Sequence, residues 1–309
     1  MTFKTATIIA TYNGMQWIEE CIESVIEDTQ VIVVDNKSTD GTVEFIKKNF
    51  TEVILIEQNQ NLGFGKANNI GISYAINNDA QYVLLLNQDA KIQSGSIDKL
   101  IEASKNNKDF GILSPIHCDW EGHYLESSFA DYISYHKNKD FYSDFVLAKS
   151  LKEVYEVPFV AAACWFIRAD AIKAVGGFDP IFKHLGEDVN LSQRFRFHGF
   201  KIGVLPNCIV MHDTKERIYE KIEKFSDAYY YKFDYRSKMK YANLNIPNWE
   251  EKLSYDKNQL WKELILCLIR LRIKDAKGYF KQIKYIEDIK SHCASSRALN
   301  EVKGSHYLN

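Results

Sequence analysis

The chain has 309 residues, of which 46% are hydrophobic and 26% charged, with a formal net charge of −2. That suffices for a substantial core, and the lack of a basic excess argues against nucleic acid as the main partner. Six scattered cysteines form no C-x-x-C pair, so no zinc or redox motif is encoded, and no stretch approaches the roughly 18 apolar residues of a bilayer span.

From the N-terminus, TATIIATYN (5–13) is a β-rich run, and the apolar stretch within MTFKTATIIATYNG is too short for a secretory leader. MQWIEECIESVIED (15–28) repeats apolar residues at Trp17, Ile18, Cys21, Ile22, Val25 and Ile26, one face of a helix. VIVVDN (31–36) is a continuous apolar strand, TVEFIKKNF (42–50) a helix, VILIEQN (53–59) a strand and GKANNIGISYAINN (65–78) a helix. YVLLLNQD (82–89) is the fourth strand and SIDKLIEASKN (96–106) the next helix. Strands that are apolar throughout and separated by helices imply a parallel sheet covered on both faces. Ligands of such sheets bind beyond the carboxyl ends of the strands. Three strands end in polar clusters: Thr11-Tyr12-Asn13, Asp35-Asn36 and Asn87-Gln88-Asp89. Turn chemistry explains any single cluster, but several on one sheet predict a shared site.

Residues 116–150 are aromatic and loop-rich without a clear period. VPFVAAACWFIRADAIKAVGGFDP (157–180) reads as a strand, a short helix and a Gly-Gly stop. GEDVNLSQRFRFHGF (186–200) is an amphipathic helix with Leu191 and Phe195 on one face, and KIGVLPNCIVMHD (201–213) is a strand ending at His212. Beyond 214 the pattern turns helical and basic, over 223–242 and 258–289. Residues 215–309 carry 20 Lys and Arg against 13 Asp and Glu, a charge of +7, which leaves −9 on 1–214. The composition breaks there.

No G-x-x-x-x-G-K-[ST] or G-x-S-x-G occurs, and GFGKANNIG (63–71) spaces its glycines wrongly for a dinucleotide fingerprint. Six stretches in order, IIATYNG, VIVVDNKSTDGT, NQNLGFGKANNIGI, VLLLNQDAKI, VGGFDPIF and GEDVNLSQRFRFHG, resemble the family 2 glycosyltransferases. The subset most similar in appearance is the rhamnosyltransferase-like enzymes of bacterial surface polysaccharide assembly. The resemblance covers residues 5–213 and implies the GT-A fold, an α/β Rossmann-like, mostly parallel sheet flanked by helices. It implies a donor-binding half over 1–115, an acceptor-binding and catalytic half over 116–214, and a basic helical extension over 215–309.

The resemblance also implies a nucleotide-diphosphate sugar donor, dTDP-rhamnose first and a UDP-sugar next. The acceptor would be a glycan or lipid-linked glycan, with Mg²⁺ or Mn²⁺ as cofactor and inversion at the anomeric carbon. A divalent cation at a diphosphate needs only one or two protein oxygens. The family pattern Asp-x-Asp stands here as Asn87-Gln88-Asp89, so Asp89 is the expected metal ligand, with Asn87 and Gln88 beside ribose or metal-bound water. His212 resembles the histidine that completes such a site. Asp35 is expected to accept from the base, flanked by Thr11, Tyr12, Asn13 and Asn36, with Lys66 toward the phosphates. Asp188 is the expected general base, with Glu187 and Trp165 at the acceptor. Tyr229, Tyr230, Tyr231 and Tyr235 among basic residues suggest a membrane-facing surface; a helical cap or homodimer surface is the other reading. These readings place the protein in the cytoplasm, peripheral on the inner face of the membrane when the acceptor is lipid-linked. A nucleotidyltransferase of related fold would need a glycine-rich basic loop that TYNGMQW lacks, while the missing first acid keeps open a binding-only relative.

Overall fold

The computed structural model describes residues 4–214 and 222–308. The first half runs β1 (Thr5–Thr11), α1 (Ile18–Glu23), β2 (Gln30–Asp35), α2 (Thr42–Asn49), β3 (Ile54–Glu57), α3 (Phe64–Asn77), β4 (Tyr82–Leu86), β5 (Ala90–Ile92) and α4 (Ser96–Asn106). The second half continues β6 (Phe110–Cys118), α5 (Ser127–Tyr132), α6 (Lys139–Val146), β7 (Tyr155–Glu156), β8 (Cys164–Arg168), α7 (Ala169–Val175), α8 (Glu187–Phe197) and β9 (Lys201–His212). Three helices follow: α9 (Asp227–Tyr241), α10 (Trp249–Ile269) and α11 (Ile273–Asn300).

One sheet orders the strands β3-β2-β1-β4-β8-β6-β9-β5, with β7 on β9. The expected parallel pairing holds for β3-β2-β1-β4. It fails at β8, which runs antiparallel to both β4 and β6. A strand buried on both faces carries the same apolar pattern whichever way it runs. The reversal matters for the site: Leu86 at the end of β4 pairs with Cys164 at the start of β8. The loop entering β8 therefore meets the polar tip leaving β4, and the Asn87 N–H donates to the Ala163 carbonyl at 2.9 Å. Residues 116–150, without a clear period, contain the end of β6 and the short helices α5 and α6.

Alternate residues of each central strand enter different cores. Ile8, Ile32, Val34, Val83 and Leu85 pack on one face; Ile9, Val31, Val33, Leu84 and Leu86 pack on the other. Helices lie on both, as period-2 burial of a covered sheet requires. On the first face α3 presses directly on β1: a Cβ added at Gly71 would sit 2.4 Å from Ile8 Cγ2. The C-terminal helices have a small core of their own, including Tyr241, Leu253, Ile286 and Cys293. They are fastened to the sheet by a buried polar knot. The Arg194 guanidinium donates to Asn300 Oδ1 at 2.9 Å and to the Val175 carbonyl at 3.1 Å. Asn300 Nδ2 and Ser296 Oγ both donate to Asp179 Oδ2, at 2.9 and 2.6 Å. No helix among the described residues is long and apolar enough to cross a membrane.

Candidate active site

Thr11 and Asp35 are register partners at the ends of β1 and β2, and both are buried. Asp35 Oδ2 accepts from the backbone N–H groups of Lys37 and Ser38 at 2.9 and 3.0 Å. Its Oδ1 is buried with no hydrogen-bond partner among the described residues. A buried acceptor left unpaired costs about 1–3 kcal/mol, so this oxygen is poised for a donor from outside the chain. Asn13 has φ of 50° and its Oδ1 accepts from Thr39 N–H at 2.8 Å, which shapes the loop beside Asp35. Tyr12 is 46% exposed at the same rim.

Gln88 and Asn36, both expected at the donor, brace the loops around it. Gln88 Oε1 accepts from Thr11 Oγ1 at 2.6 Å and from Tyr12 N–H at 2.8 Å, and its Nε2 donates to the Tyr12 carbonyl at 3.3 Å. These bonds tie the tip of β1 to that of β4, and they explain Gly14: a Cβ there would lie 2.7 Å from Gln88 Oε1. Asn36 is buried, and its Oδ1 accepts from Leu62 N–H at 3.1 Å, holding the loop before α3. Lys66 is exposed on the first turn of α3, in a groove of about 590 Å³ with Asn69, Tyr74 and Pro180 that shares no lining residue with the cleft described next.

That cleft, of about 460 Å³, is lined by Asn87, Ala162, Glu187, Asp188 and His212, with Phe64 and Leu185 at its sides. It unites the end of β4, the entry to β8, the first turn of α8 and the end of β9. Gly186, with φ of 88°, caps α8 and turns both acids into its first turn, where the helix dipole favours negative charge. Asp188 is half-buried, and its Oδ1 accepts from Val189 N–H at 2.7 Å. Burial still raises its pKa. Glu187 is 6% exposed and its Oε2 has no partner among the described residues. Burial, and then the neighbouring Asp188 charge, lift the Glu187 carboxyl to about 7. Tyr132 stands close enough that burial and then the Asp188 charge push its hydroxyl up to about 12.

On the opposite wall His212 is buried, with Nε2 3.4 Å from Asp89 Oδ1 and Nδ1 3.0 Å from Glu126 Oε2. Burial opposes charging of the ring, but hydrogen bonds to Asp89 and Glu126 outweigh it and raise its pKa to about 9. Glu126 is itself buried; bonds from His117, His212 and Ser128 overcome the burial penalty and hold its carboxyl well below the usual range. His117, Glu126 and His212 offer ligand atoms within 4.8 Å of one another. The Glu126 oxygen is already engaged by His212 Nδ1, so the geometry reads as a carboxylate orienting a histidine, with Nε2 turned outward toward Asp89. Asn87 Oδ1 is buried without a partner among the described residues. Its Nδ2 lies 3.5 Å from His212 Nε2, and the Asp89 carboxylate beside that imidazole forms a donor pair that suits Mn²⁺, or Mg²⁺ less well because of the imidazole.

Trp165, expected at the acceptor, is 0% exposed. Its Nε1–H donates to the Val160 carbonyl at 3.2 Å and its ring stacks on Phe178, so it supports the cleft from the core. Glu126 and Tyr132 went unnoticed in the sequence because they lie in the stretch without periodicity, and no spacing links them to Asp188 or His212.

Glycosyl transferase family 2 matches residues 7–176 of the chain. An N-acetylglucosaminyl-diphospho-decaprenol L-rhamnosyltransferase of Mycobacterium tuberculosis is 26% identical over 235 residues, covering 69% of this chain and 76% of the relative. The O-antigen chain rhamnosyltransferase WbaN of Salmonella anatum is 23% identical, over 72% of this chain and 70% of its own. Among solved structures, residues 1–349 of S. aureus TarS in complex with UDP superpose with TM-score 0.53 at 16% identity, covering 77% of this chain and 65% of that one. GalNAc-T7 with UDP, GalNAc and Mn²⁺ superposes with TM-score 0.54 at 16% identity, covering 79% of this chain and 52% of that one.

Proposed function

Because the chain belongs to glycosyl transferase family 2, we propose that it transfers a sugar, rhamnose first, from a nucleotide-diphosphate donor with inversion. The acceptor is a glycan or lipid-linked glycan of a bacterial surface polysaccharide. The observation that carries this reading is the single cleft that joins Asp188 to Asn87 and His212, with Asp89 against His212. The names of the mycobacterial and Salmonella relatives favour rhamnose. Residues 1–115 then hold the donor, 116–214 the acceptor and base, and 215–309 form the helical extension. The enzyme works in the cytoplasm, where a lipid-linked acceptor would bring it to the membrane.

In this mechanism Asp35 Oδ1 accepts the N3–H of a uracil or thymine base, which satisfies its open valence. Tyr12 and Thr11 flank the base and ribose. Asp188 takes the proton of the acceptor hydroxyl as that oxygen attacks the anomeric carbon. The bond from the anomeric carbon to the phosphate oxygen breaks on the opposite face, and its electron pair leaves with the nucleoside diphosphate. Asp89 and His212 would hold a divalent cation, with Asn87 beside them; when bound, it neutralises charge growing on the diphosphate. Glu126 keeps the His212 ring turned toward that position. The raised pKa of Asp188 makes it a better proton acceptor than an exposed carboxylate, while Glu187, near half-protonated at neutral pH, can donate to an acceptor hydroxyl.

A panel of dTDP-, UDP- and GDP-sugars with Mn²⁺ tests the reading through release of nucleoside diphosphate. Asp188→Asn should keep the fold and donor binding and lose transfer by about 10²–10⁴-fold. Near-normal turnover of that variant would remove Asp188 from the mechanism. The neutral Asn87 favours one second reading, a sugar-nucleotide-binding relative without turnover, and binding without any diphosphate release would establish it.

A further inference from the structure

The corner between α10 and α11 carries an unusual surface. Ile269 is 73% exposed, Leu271 82% and Ile273 50%, with Ile265, Leu268 and Phe280 at 51, 46 and 44%. Leu264 and Cys267 on the same helix turn inward, so the exposed set is a distinct outward face. Leu271 reaches its position through a left-handed turn, φ 53°, that projects it from the end of the hairpin. Residues 264–274 contain no acid and three bases, Arg270, Arg272 and Lys274, all exposed. Of the two flanking acids, Glu263 accepts from the Tyr279 hydroxyl at 3.4 Å and Asp275 pairs with Arg272.

We propose that this apolar corner, with its collar of Arg270, Arg272 and Lys274, docks the protein on an anionic lipid bilayer. Large aliphatic side chains on a projecting corner can enter the boundary between headgroups and acyl chains. Long basic side chains beside them keep their stems apolar and their charges among lipid phosphates. A second copy of the chain is the poorer occupant, because a two-fold contact would set the same three bases against their own images. Of the tyrosines at 229–235, for which the sequence left a membrane-facing surface or a helical cap or homodimer surface as readings, Tyr229 and Tyr230 are engaged within the protein. Tyr230 is buried with its hydroxyl on the Gly278 carbonyl, and Tyr229 accepts from Gln282 Nε2 at 3.2 Å.

The same contacts tie the corner to the cleft. Gly278, little more than a turn beyond Ile273, holds Tyr230, and neighbouring Tyr231 donates to the His184 carbonyl at 2.6 Å. His184 and Leu185 line the cleft. Docking at the corner would hold the cleft near the bilayer; that consequence rests on the proposed lipid-linked acceptor, whereas docking itself does not.

Flotation of the full chain with vesicles needs no turnover, so it is separable from the enzyme reading. The protein should float with equal parts phosphatidylglycerol and phosphatidylcholine, and about tenfold less with phosphatidylcholine alone or at high salt. The pair Ile269→Ser and Leu271→Ser should abolish flotation, and Arg270→Gln with Arg272→Gln should erase the preference for phosphatidylglycerol. All variants should keep the wild-type thermal shift with UDP or dTDP, which checks the fold. Variants that float like the wild type, or a wild type that stays with the soluble fraction, overturn the proposal. So does a wild-type dimer in sedimentation that Ile269→Ser and Leu271→Ser dissolve, since a second copy would then cover the corner.

Discussion

Glu187→Gln isolates the cost of burying an acid at the mouth of α8. In the unfolded chain this carboxyl titrates near 4.5; in the fold burial lifts it to about 7. Between those values the folded protein holds a proton that the unfolded chain has released. Stability therefore falls as pH rises through that window and stays reduced above it. At 1.36 kcal/mol per unit the full penalty is about 3 kcal/mol, a sizeable part of a typical folding free energy. Glutamine cannot ionise. Its extra N–H in a dry pocket costs about 1 kcal/mol, but at every pH alike. Asp188 has a penalty of the same sign in both proteins, and the loss of its repulsion with Glu187 in the variant acts in the same direction. Urea unfolding of wild type and variant near pH 5.5 and pH 8 reads the difference. The variant should gain about 2 kcal/mol on the wild type between those two conditions. A difference that does not change with pH refutes the burial argument and, with it, the idea that Glu187 is half-protonated when the cleft works.

Two further substitutions probe the opposite walls. Asp35→Asn keeps an oxygen for the Lys37 and Ser38 N–H groups but places an amide where Oδ1 now lies open. Affinity for UDP or dTDP in calorimetry should fall by about 10–100-fold, and unchanged affinity would place the base elsewhere. Glu126→Gln leaves His212 with a weaker partner at Nδ1, 3.0 Å away, and should lower Mn²⁺ affinity by about 10–100-fold. Equal titration of both proteins with Mn²⁺ would reduce Glu126 to a packing role.

The elements of the first half were legible because their signals are local. SIDKLIEASKN reads as a helix over 96–106 and is one over those residues, and the tips of β1, β2 and β4 fall where the apolar runs end. The family resemblance, carried by the same short stretches, anticipated the GT-A fold. It also led to the residues that meet in the cleft, Asn87, Glu187, Asp188 and His212. Boundaries were not legible where a periodic run hid a break: the helical, basic stretch over 258–289 divides at Arg270–Arg272 into α10 and α11. Trp165 shows the limit of position along a strand. Lying on β8 next to Cys164 suggested the acceptor, but the side chain's inward face and a satisfied Nε1–H place it in the core.

By itself the sequence determined which segments form strands and helices, and which strand tips carry polar groups, because hydrophobic period and turn chemistry act over a few residues. Only the tertiary structure decided the direction of β8 and the conversion of Gln88 into a brace. It alone set Glu126 behind a histidine 86 positions away and left an aliphatic corner bare to solvent. Those outcomes depend on which strands become neighbours, and the side-chain contacts that reward such pairing exist only after the chain has closed on itself.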